Sequence, residues 1–274
     1  MDLLQKTLQI CQEHNIKPVR SKGQNFLIAE DVYERIIDIS ELKKRDIILE
    51  VGPGLGFLTE RLAEKVDKVI AVELDDKLAN ILKEKIAKKK IKNVEVVNKN
   101  ILDFDLSSKL AGKSYKIVAN LPYNISSIFL RRFLERVDKP ELLVLMLQKE
   151  VAERIVACPP KMSILAVAVQ YFAEAEIAEY IGRKNFWPSP EVDSAIIRIS
   201  DIRCQISDVD EKDFFRLVKI GFSSKRKMLK NNLATGYHIG QDKALQKIKL
   251  IGLNEKIRAE GLSVEDWRRL LEEV

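Results

Sequence analysis

The residues best placed to do chemistry lie in the stretch I-V-A-N-L-P-Y-N-I at positions 117–125. An apolar run predicts a strand that ends at Asn120 and leads into a turn with a proline and a tyrosine. Pro122 fixes its own φ and biases Leu121 toward an extended conformation, so the Leu121 carbonyl has a defined direction. The stretch offers two hydrogen-bond acceptors and the ring face of Tyr123. An ordinary strand-to-turn junction uses the same residue types, however, and is the favoured explanation when the stretch is taken alone.

A second candidate site lies in L-E-V-G-P-G-L-G-F-L-T at positions 49–59. A predicted buried strand runs into Gly52, Gly54 and Gly56, and a predicted helix follows at once. Glycines allow a sharp turn and a close approach of a ligand to the backbone. The dinucleotide fingerprint G-x-G-x-x-G needs a glycine at the next position, which is Phe57. The spacing G-x-G-x-G instead fits a nucleoside ligand without a phosphate cradle.

The next predicted strand ends in A-V-E-L-D and places Glu73 at its carboxyl end. Ligands of doubly wound sheets bind beyond these strand ends, where an acidic side chain can accept hydrogen bonds from both hydroxyls of a ribose. A surface acid after a strand is common by itself. The distance along the chain between Glu73 and the glycine turn favours a role for Glu73 in nucleoside binding.

The glycine turn and Glu73 together resemble class I S-adenosylmethionine-dependent methyltransferases. A set of motifs in a fixed order narrows the resemblance: G-Q-N-F-L (23–27), the glycine turn, N-L-P-Y-N (120–124), L-Q-K-E-V-A-E-R (147–154), F-W-P-S-P-E-V-D-S (186–194) and F-S-S-K-R-K-M-L-K-N-N-L (222–233). From about residue 20 to the C-terminus, the sequence resembles the small-subunit ribosomal RNA adenine N6,N6-dimethyltransferases, which are close relatives of the macrolide-resistance rRNA methylases.

The resemblance implies S-adenosylmethionine as the cofactor. It implies that Asn25 and Leu27 contact the methionine end of the cofactor, that Gly52 lines it and that Glu73 holds the ribose. The complete set of cofactor-binding residues expected on this basis is Gln24, Asn25, Leu27, Gly52, Gly54, Gly56, Glu73, Leu74, Asn100, Ile101 and Asn120.

One position departs from the family pattern. The family usually carries Gly-Asp-Ala-Leu after the third strand, and its aspartate accepts a hydrogen bond from the adenine amine of the cofactor. The matching residues here are 99–102, K-N-I-L. Asn100 can accept the same hydrogen bond through its amide oxygen, and Asp103 is the second candidate.

The implied chemistry gives the stretch at 117–125 a specific role. Methyl transfer from a sulfonium is an in-line displacement that needs neither a metal nor a covalent nucleophile. The adenine amine is a poor nucleophile because its lone pair is delocalised, and two fixed acceptors can stabilise the charge that develops on it. Asn120 and Leu121 would supply these acceptors, Pro122 would aim the carbonyl, and Tyr123 would stack on a flipped-out base. The family further implies two methyl groups on each of two adjacent adenosines in the 3′-terminal hairpin loop of small-subunit rRNA.

Two further segments are candidates for contact with the RNA. Phe186, Pro188 and Pro190 either shape a rigid loop against the substrate pocket or simply stiffen the connection before the last strand. Helical periodicity over 225–234 places a basic cluster on or near one helix face, and such a cluster suits phosphate contacts: Lys225, Arg226, Lys227 and Lys230. A solvated basic helix remains the alternative. Basic residues near the N-terminus (Lys17, Arg20 and Lys22) can extend this track.

The elements that must position these residues follow an α/β pattern. Predicted strands at 46–51, 68–74, 94–97, 116–120 and 142–147 alternate with helices near 57–66, 76–90 and 125–137, as in βαβ units with a mostly parallel sheet. A helix at 163–172 and a late antiparallel pair near 176–181 and 193–199 follow. Helical periodicity alone is present beyond, at 210–221, 225–234, 242–250 and 263–272. We expect a Rossmann-like methyltransferase domain at 1–204, with an N-terminal helix and basic arm at 1–22, and a helical RNA-binding domain at 205–274.

Composition excludes several other classes of protein. The 274 residues are 46% hydrophobic and 32% charged, which is typical of a protein with a sizeable core. No apolar run approaches the ~18 residues of a membrane span, and the N-terminus lacks the pattern of a secretion signal. The three cysteines (Cys11, Cys158 and Cys204) are far apart, which argues against a disulfide framework or a zinc site. We therefore expect a cytoplasmic, metal-free protein, and the lack of heptads favours a monomer.

The formal charge of +6 is compatible with a polyanionic partner, here small-subunit rRNA within a precursor particle. A large-subunit resistance methylase, an assembly factor with vestigial catalysis and an N6-adenine DNA methylase are the competing functions. The fuller helical C-terminal region and the motif at 222–233 favour the small-subunit enzyme over the resistance methylase. The DNA methylase motif would normally place Asp or Asn before Pro-Pro-Tyr or Pro-Pro-Trp.

Overall fold

A computed structural model of the chain describes residues 1–19, 24–110, 112–122, 125–203 and 210–274. They form two compact units, the first of Met1–Ala152 with Ala175–Ile202 and the second of Glu153–Glu174 with Arg203–Val274. The division expected after residue 204 lies close to the second of these boundaries. The segment 153–174, which the sequence pattern assigns to the first domain, belongs to the second unit.

The strands follow the alternation that the sequence predicts. In chain order they are β1 (Phe26–Leu27), β2 (Ile47–Val51), β3 (Lys68–Glu73), β4 (Val94–Asn98), β5 (Lys116–Asn120), β6 (Leu142–Gln148), β7 (Glu174–Ile181), β8 (Phe186–Trp187) and β9 (Ser194–Ser200). Seven of them form one sheet in the order β4-β3-β2-β5-β6-β9-β7. Neighbours from β4 to β6 are parallel, whereas β9 runs antiparallel to β6. The predicted fold class is confirmed.

Helices flank this sheet and connect its strands. They are α1 (Leu3–Glu13), α2 (Glu30–Ile39), α3 (Phe57–Lys65), α4 (Asp76–Lys88), α5 (Ser107–Leu110), α6 (Ser126–Leu134) and α7 (Lys149–Ile155). Strand β2 is buried at every position, as expected for a central strand covered on both faces. The Asp75 side chain accepts hydrogen bonds from the backbone N–H groups of Lys77 and Leu78, so α4 begins immediately after β3. The strand ends are thereby held at one edge of the sheet.

A second, two-stranded sheet pairs β1 with β8 in antiparallel register, which the sequence pattern does not predict. Phe26 lies opposite Trp187 and Leu27 opposite Phe186. The backbone N–H of Ile28 also donates to the carbonyl of Asn185 at 2.8 Å. The ends of two motifs that are far apart in the chain, Phe26–Leu27 and Phe186–Trp187, are therefore neighbours in space.

The second unit is built from helices around an aromatic core. Its helices are α8 (Ile164–Phe172), α9 (Glu211–Gly221), α10 (Leu229–Tyr237), α11 (Gln241–Leu250) and α12 (Val264–Glu273). The ring of Tyr171 stacks on Phe214 with centroids 4.2 Å apart, and Trp267 is completely buried beside Phe222. Because Tyr171 belongs to α8, these contacts explain why the segment 153–174 groups with the C-terminal helices. Over the described part of the chain, no helix has both the length and the apolar character that crossing a membrane requires.

Candidate functional site

The carboxyl ends of β2, β3 and β5 border a cavity of about 290 Å³. The predicted cofactor-binding residues converge on it from five separate segments of the chain. The following members of that set line the cavity: Gln24, Asn25, Leu27, Gly52, Gly54, Glu73, Leu74, Asn100, Ile101 and Asn120. Their convergence supports the predicted cofactor site, although the role of each residue stays a prediction.

Gly52, in the glycine turn, lies next to the segment that follows β5. Its φ is +65°, a conformation that side chains disfavour, and its N–H donates to the carbonyl of Val72 at 2.9 Å. A Cβ atom added at Gly52 would lie 3.4 Å from Cδ of Pro122. The two candidate sites found in the sequence are therefore adjacent, and both line the same cavity.

Gly56 differs from the other two glycines, because it does not line the cavity. It has a φ of +76° at the start of α3, and a Cβ atom there would clash with Cδ1 of Leu82 on α4. The third glycine thus permits close packing of two helices. This packing supports the shape of the turn, and direct contact between Gly56 and the cofactor stays a prediction.

Glu73 is held with both carboxylate oxygens fixed by the backbone. Oε2 accepts a hydrogen bond from the N–H of Gly54 at 3.1 Å, and Oε1 accepts one from the N–H of Asp75 at 2.9 Å. Burial raises the pKa of this carboxyl, while these N–H groups oppose the shift. Each oxygen retains a free lone pair at the cavity wall, so the carboxylate can accept hydrogen bonds from two ribose hydroxyls.

The segment that carries Asn25 and Leu27 is anchored by two side chains. The Tyr33 hydroxyl donates to the carbonyl of Leu27 at 3.0 Å, and Gln24 Nε2 donates to Asp75 Oδ2 at 3.4 Å. Sequence reasoning missed Tyr33, which also lines the cavity, because an aromatic residue on the apolar face of a helix is usually a core residue. No local pattern distinguishes it.

Glu50 is a second cavity residue that sequence reasoning missed. Its side chain is 1% exposed in the middle of β2, and Oε2 is buried without a hydrogen-bond partner among the described residues. Burial raises the pKa of this carboxyl to about 8, and the nearby charge of Glu73 adds to the shift. A signal was present in the sequence, since Glu50 is the one charged residue in I-I-L-E-V.

The two candidates for recognition of the adenine amine occupy different positions. Asn100 lines the cavity, whereas the exposed Asp103 does not. Asn100 Oδ1 accepts a hydrogen bond from the N–H of Leu102 at 3.0 Å, and Nδ2 donates to Asp103 Oδ2 at 2.8 Å. The amide is therefore oriented by Asp103, and its oxygen keeps a lone pair for a ligand.

Asn120 and Leu121, the two acceptors predicted after β5, both line the cofactor cavity. Asn120 is half-buried at the end of the strand, and the N–H of Leu121 donates to the carbonyl of Met146 at 3.2 Å. Within the described ranges, no residue donates a hydrogen bond to the side chain of Asn120 or to the carbonyl of Leu121. Tyr123, the predicted stacking residue, lies outside the described residues.

The predicted substrate loop at 186–190 is only partly at the surface. Phe186 is 3% exposed in the hydrophobic core that also contains Phe26 and Leu27, while Pro188 is half-buried. This placement is compatible with both interpretations of the sequence, a rigid loop against the substrate pocket and a stiffened connection before β9. Contact of Phe186 or Pro188 with a base stays a prediction.

The prediction of a helix over 225–234 was wrong at its start, since α10 begins at Leu229. Lys225, Arg226 and Lys227 are exposed in a turn before the helix, and Lys230 is half-buried on its first turn. The buried Asn232 side chain explains the difference: its Nδ2 donates to the carbonyls of Gly221 at 2.6 Å and of Ser224 at 3.1 Å. These hydrogen bonds hold the chain in a turn. Of the basic residues near the N-terminus, Arg20 and Lys22 lie outside the described residues.

Comparison with known proteins gives consistent matches over most of the chain. The model of the family described as ribosomal RNA adenine dimethylase matches residues 15–274. A ribosomal RNA small subunit methyltransferase A from Dehalococcoides mccartyi (strain ATCC BAA-2266 / KCTC 15142 / 195) is 39% identical, over 98% of this chain and 92% of that protein. Its counterpart from Ligilactobacillus salivarius (strain UCC118) is also 39% identical, over 97% and 93% of the two chains.

Two solved structures are similar over a comparable length. A dimethyladenosine transferase from Plasmodium falciparum is 25% identical with a TM-score of 0.76, covering 89% of this chain and 95% of that one. The 23S rRNA methyltransferase ErmE is 27% identical with a TM-score of 0.73, covering 91% of this chain and 99% of that one.

Proposed function

The chain belongs to the ribosomal RNA adenine dimethylase family, and we propose that its substrates within that family are two adjacent adenosines near the 3′ end of small-subunit rRNA. The enzyme transfers methyl groups from S-adenosylmethionine to the N6 amine of adenine in rRNA. The observation that carries the adenine chemistry is the acceptor pair of Asn120 and Leu121, which lines the cofactor cavity beside Gly52 and receives no hydrogen bond from a described residue.

The residues present fit S-adenosylmethionine. The positive φ of Gly52 and Gly54 lets a ligand approach the backbone, and the fixed carboxylate of Glu73 suits a ribose. Asn100 provides an acceptor for the adenine amine, with Leu74 and Ile101 beside it in the cavity wall. Gln24, Asn25 and Leu27 would enclose the methionine end. When bound, this cofactor supplies a methyl group on a sulfonium whose leaving group is a neutral thioether.

The protein's part in the reaction is to hold and polarise the target amine. The Asn120 side-chain oxygen and the Leu121 carbonyl accept its two N–H groups and pull the nitrogen toward tetrahedral geometry. Both acceptors stabilise the positive charge that develops as the new bond forms, which is the reverse of an oxyanion hole. The alkylated amine is acidic enough to lose its proton to water, so no strong base is needed. Tyr123 would stack on the base.

The choice of the small-subunit RNA is supported by the curated relatives. Those named ribosomal RNA small subunit methyltransferase A share 36–40% identity with this chain, whereas ErmE, named for 23S rRNA, shares 27%. The basic turn at 225–227 and the half-buried Lys230 would contact phosphates, with Phe186 and Pro188 shaping the substrate loop. A large-subunit substrate is the second candidate, because the ErmE fold covers 91% of the chain.

We propose residues 1–204 as the methyltransferase domain, in which 1–22 form the N-terminal helix and basic arm, and residues 205–274 as the RNA-binding domain. The enzyme would act as a monomer in the cytoplasm, on a precursor of the small ribosomal subunit, without a metal. Methylation at this step would make it a ribosome biogenesis enzyme.

A labelling experiment tests the choice of substrate. The protein is incubated with radiolabelled S-adenosylmethionine and, separately, with hypomethylated small subunits, naked small-subunit rRNA and large-subunit rRNA, and the labelled nucleotides are mapped. Asn120→Ala serves as the control for catalysis, because it should lose roughly 100-fold or more in turnover while binding the cofactor nearly normally. We expect label on two adjacent adenosines near the 3′ end of small-subunit rRNA. Label only in large-subunit RNA would overturn the assignment, and RNA binding without label would indicate an assembly factor.

A further inference from the structure

The motif L-Q-K-E-V-A-E-R, which the proposed mechanism leaves without a role, places Gln148 at the last position of β6. Strand β6 is the parallel neighbour of β5, and Met146 lies in register with Asn120. Register partners in a parallel pair share a face of the sheet, as do residues two positions apart in one strand. Gln148 therefore lies on the same face as Asn120, one strand across and two residues further toward the carboxyl edge.

The separation of Gln148 from Asn120 matches the width of an adenine base. A strand spacing of ~4.8 Å and a rise of ~3.3 Å per residue place the Cα atoms of Asn120 and Gln148 roughly 8 Å apart. Two amide side chains that face a common space across this gap leave room for one planar ring between their polar ends. An adenine whose amine contacts Asn120 would present a ring edge toward Gln148.

Gln148 also lies between the two walls of the proposed substrate site. On one side, the N–H of Leu121 donates to the carbonyl of Met146, which ties the acceptor segment to β6. On the other side, Gln148 pairs with Ser194, and the N–H of Lys149 donates to the carbonyl of Asp193 at 2.9 Å. Ser194 is the last residue of the motif F-W-P-S-P-E-V-D-S, so the substrate loop returns to the sheet beside Gln148.

Among the described residues, the amide of Gln148 has no hydrogen-bond partner, which distinguishes it from other partly buried glutamines. Gln170 Nε2 donates to the carbonyls of Ile155 and Ala157, and Gln24 Nε2 donates to Asp75. Gln148 is half-buried, yet its side chain forms no hydrogen bond with any residue in the described ranges. A partly buried amide that no neighbouring residue engages is available to a ligand at the edge of the site.

We propose that Gln148 positions the substrate by donating a hydrogen bond from its amide to a ring nitrogen of the flipped adenine, N1 or N7, beside the amine held by Asn120 and Leu121. The inference rests on the proposed adenine chemistry but not on the choice of ribosomal subunit. A donor at this place recognises adenine by its ring acceptor, in addition to its amine. It would also keep the base in place after the first methyl group has removed one of the amine's two N–H groups.

The test combines variants of Gln148 with altered bases. Gln148→Leu removes the hydrogen bond at similar volume, Gln148→Glu replaces the donor by an acceptor, and Gln246→Leu makes the same change at an exposed position of α11. Single-turnover rates and KM are measured with whichever rRNA the unchanged protein methylates, carrying adenosine, 1-deazaadenosine or 7-deazaadenosine at the target. Cofactor affinity is measured in parallel, because Gln148 does not line the cofactor cavity.

We expect Gln148→Leu and Gln148→Glu to reduce kcat/KM roughly 10-fold or more with cofactor affinity unchanged, and Gln246→Leu to have no effect. One of the two deaza bases should slow the unchanged protein by a similar factor and slow Gln148→Leu no further, which identifies the nitrogen that is contacted. If both deaza bases slow Gln148→Leu as much as the unchanged protein, or if the variant retains full activity, the inference is wrong. Failure of the proposed function itself would instead appear as absence of labelled adenine with the unchanged protein.

Discussion

A methyl group on the α-carbon of Gly52 would lie 3.4 Å from Cδ of Pro122, so the cofactor turn and the acceptor segment are close neighbours. The two segments carry different halves of the proposed reaction. Glycine at position 52 permits a φ of +65° where the cofactor turn borders Pro122.

Replacement of Gly52 by alanine should reduce turnover and cofactor affinity together. The added Cβ strains the positive φ by about 1 kcal/mol or more, and a shift of the turn that relieves this strain would misplace the cofactor. Small misplacements of reacting groups cost roughly 100-fold in rate. Gly112→Ala is the matched control, because Gly112 has a φ of +76° but nothing within 4 Å of its added Cβ. Both variants should lose similar stability on denaturation. Equal effects of the two on kcat/KM would contradict the importance of the Gly52–Pro122 contact.

Most of the site could be predicted because its residues follow local rules. Gly52, Glu73 and Asn120 each stand at the carboxyl end of a predicted strand, and parallel strands bring these ends to one edge of the sheet. The strand boundaries were predicted to within one residue for β2, β3 and β5. Sequence periodicity was sufficient here since the strands are buried and flanked by clear turns.

The parts that were missed depend on contacts between distant residues. The pairing of Leu27 with Phe186 joins two-residue strands, which have no periodicity to detect. Lys225–Lys227 fit a helical pattern, but the side chain of Asn232 holds the preceding carbonyls in a turn. Local propensity cannot reveal such hydrogen bonds. The burial of Glu50 likewise follows from the position of β2 in the centre of the sheet.

The hydrogen bond between Asn100 and Asp103 predicts that exchanging the two residues restores a cofactor affinity that Asn100→Asp alone reduces. Asn100→Asp would place two carboxylates in contact where Nδ2 now donates to Asp103 Oδ2, and we expect cofactor binding to weaken roughly 5- to 10-fold. The exchange Asn100→Asp/Asp103→Asn restores a donor and an acceptor in reversed order. It also offers a carboxylate to the adenine amine, so its cofactor affinity should at least equal that of the unchanged protein.

Calorimetric titration with S-adenosylmethionine measures the cofactor affinity of each variant. Asp103→Asn alone completes the double-mutant cycle. The single Asp103 variant keeps Asn100 in the cavity and should bind nearly normally. If the exchange variant binds as weakly as Asn100→Asp, the pair does not control recognition of the cofactor. Loss of affinity on replacement of Asp103 alone would indicate that Asp103 is the residue in contact with the cofactor.

The basic turn should account for part of the salt dependence of RNA binding. Lys225, Arg226 and Lys227 are exposed, and each phosphate contact contributes about 0.7–0.9 to the slope of log K against log salt concentration. Replacing all three by alanine should therefore lower the slope by about 2, measured by filter binding between low and moderate salt. Lys83→Ala/Lys88→Ala/Lys92→Ala removes the same charge from exposed positions in and just after α4 and is the control. Equal slopes for the two triple variants would place the phosphate contacts elsewhere.

Glu50 should make the stability of the protein fall as the pH rises. Burial raises the pKa of Glu50 in the folded state to about 8 from an ordinary value of 4.5, so the folded protein retains a proton that the unfolded chain releases. Between these two values, each rise in pH favours the unfolded state, and the contribution is fully lost above the folded-state pKa. Glu50→Gln stays neutral and lacks this dependence.

The free energy of unfolding, measured in urea at pH 5 and pH 9, should fall in the unchanged protein by a few kcal/mol more than in Glu50→Gln, on the order expected for such a shift. Glu84→Gln, an exposed change on α4, should behave like the unchanged protein. The same fall in all three proteins would show that Glu50 is ionised in the folded state at neutral pH, with its charge balanced by the cavity.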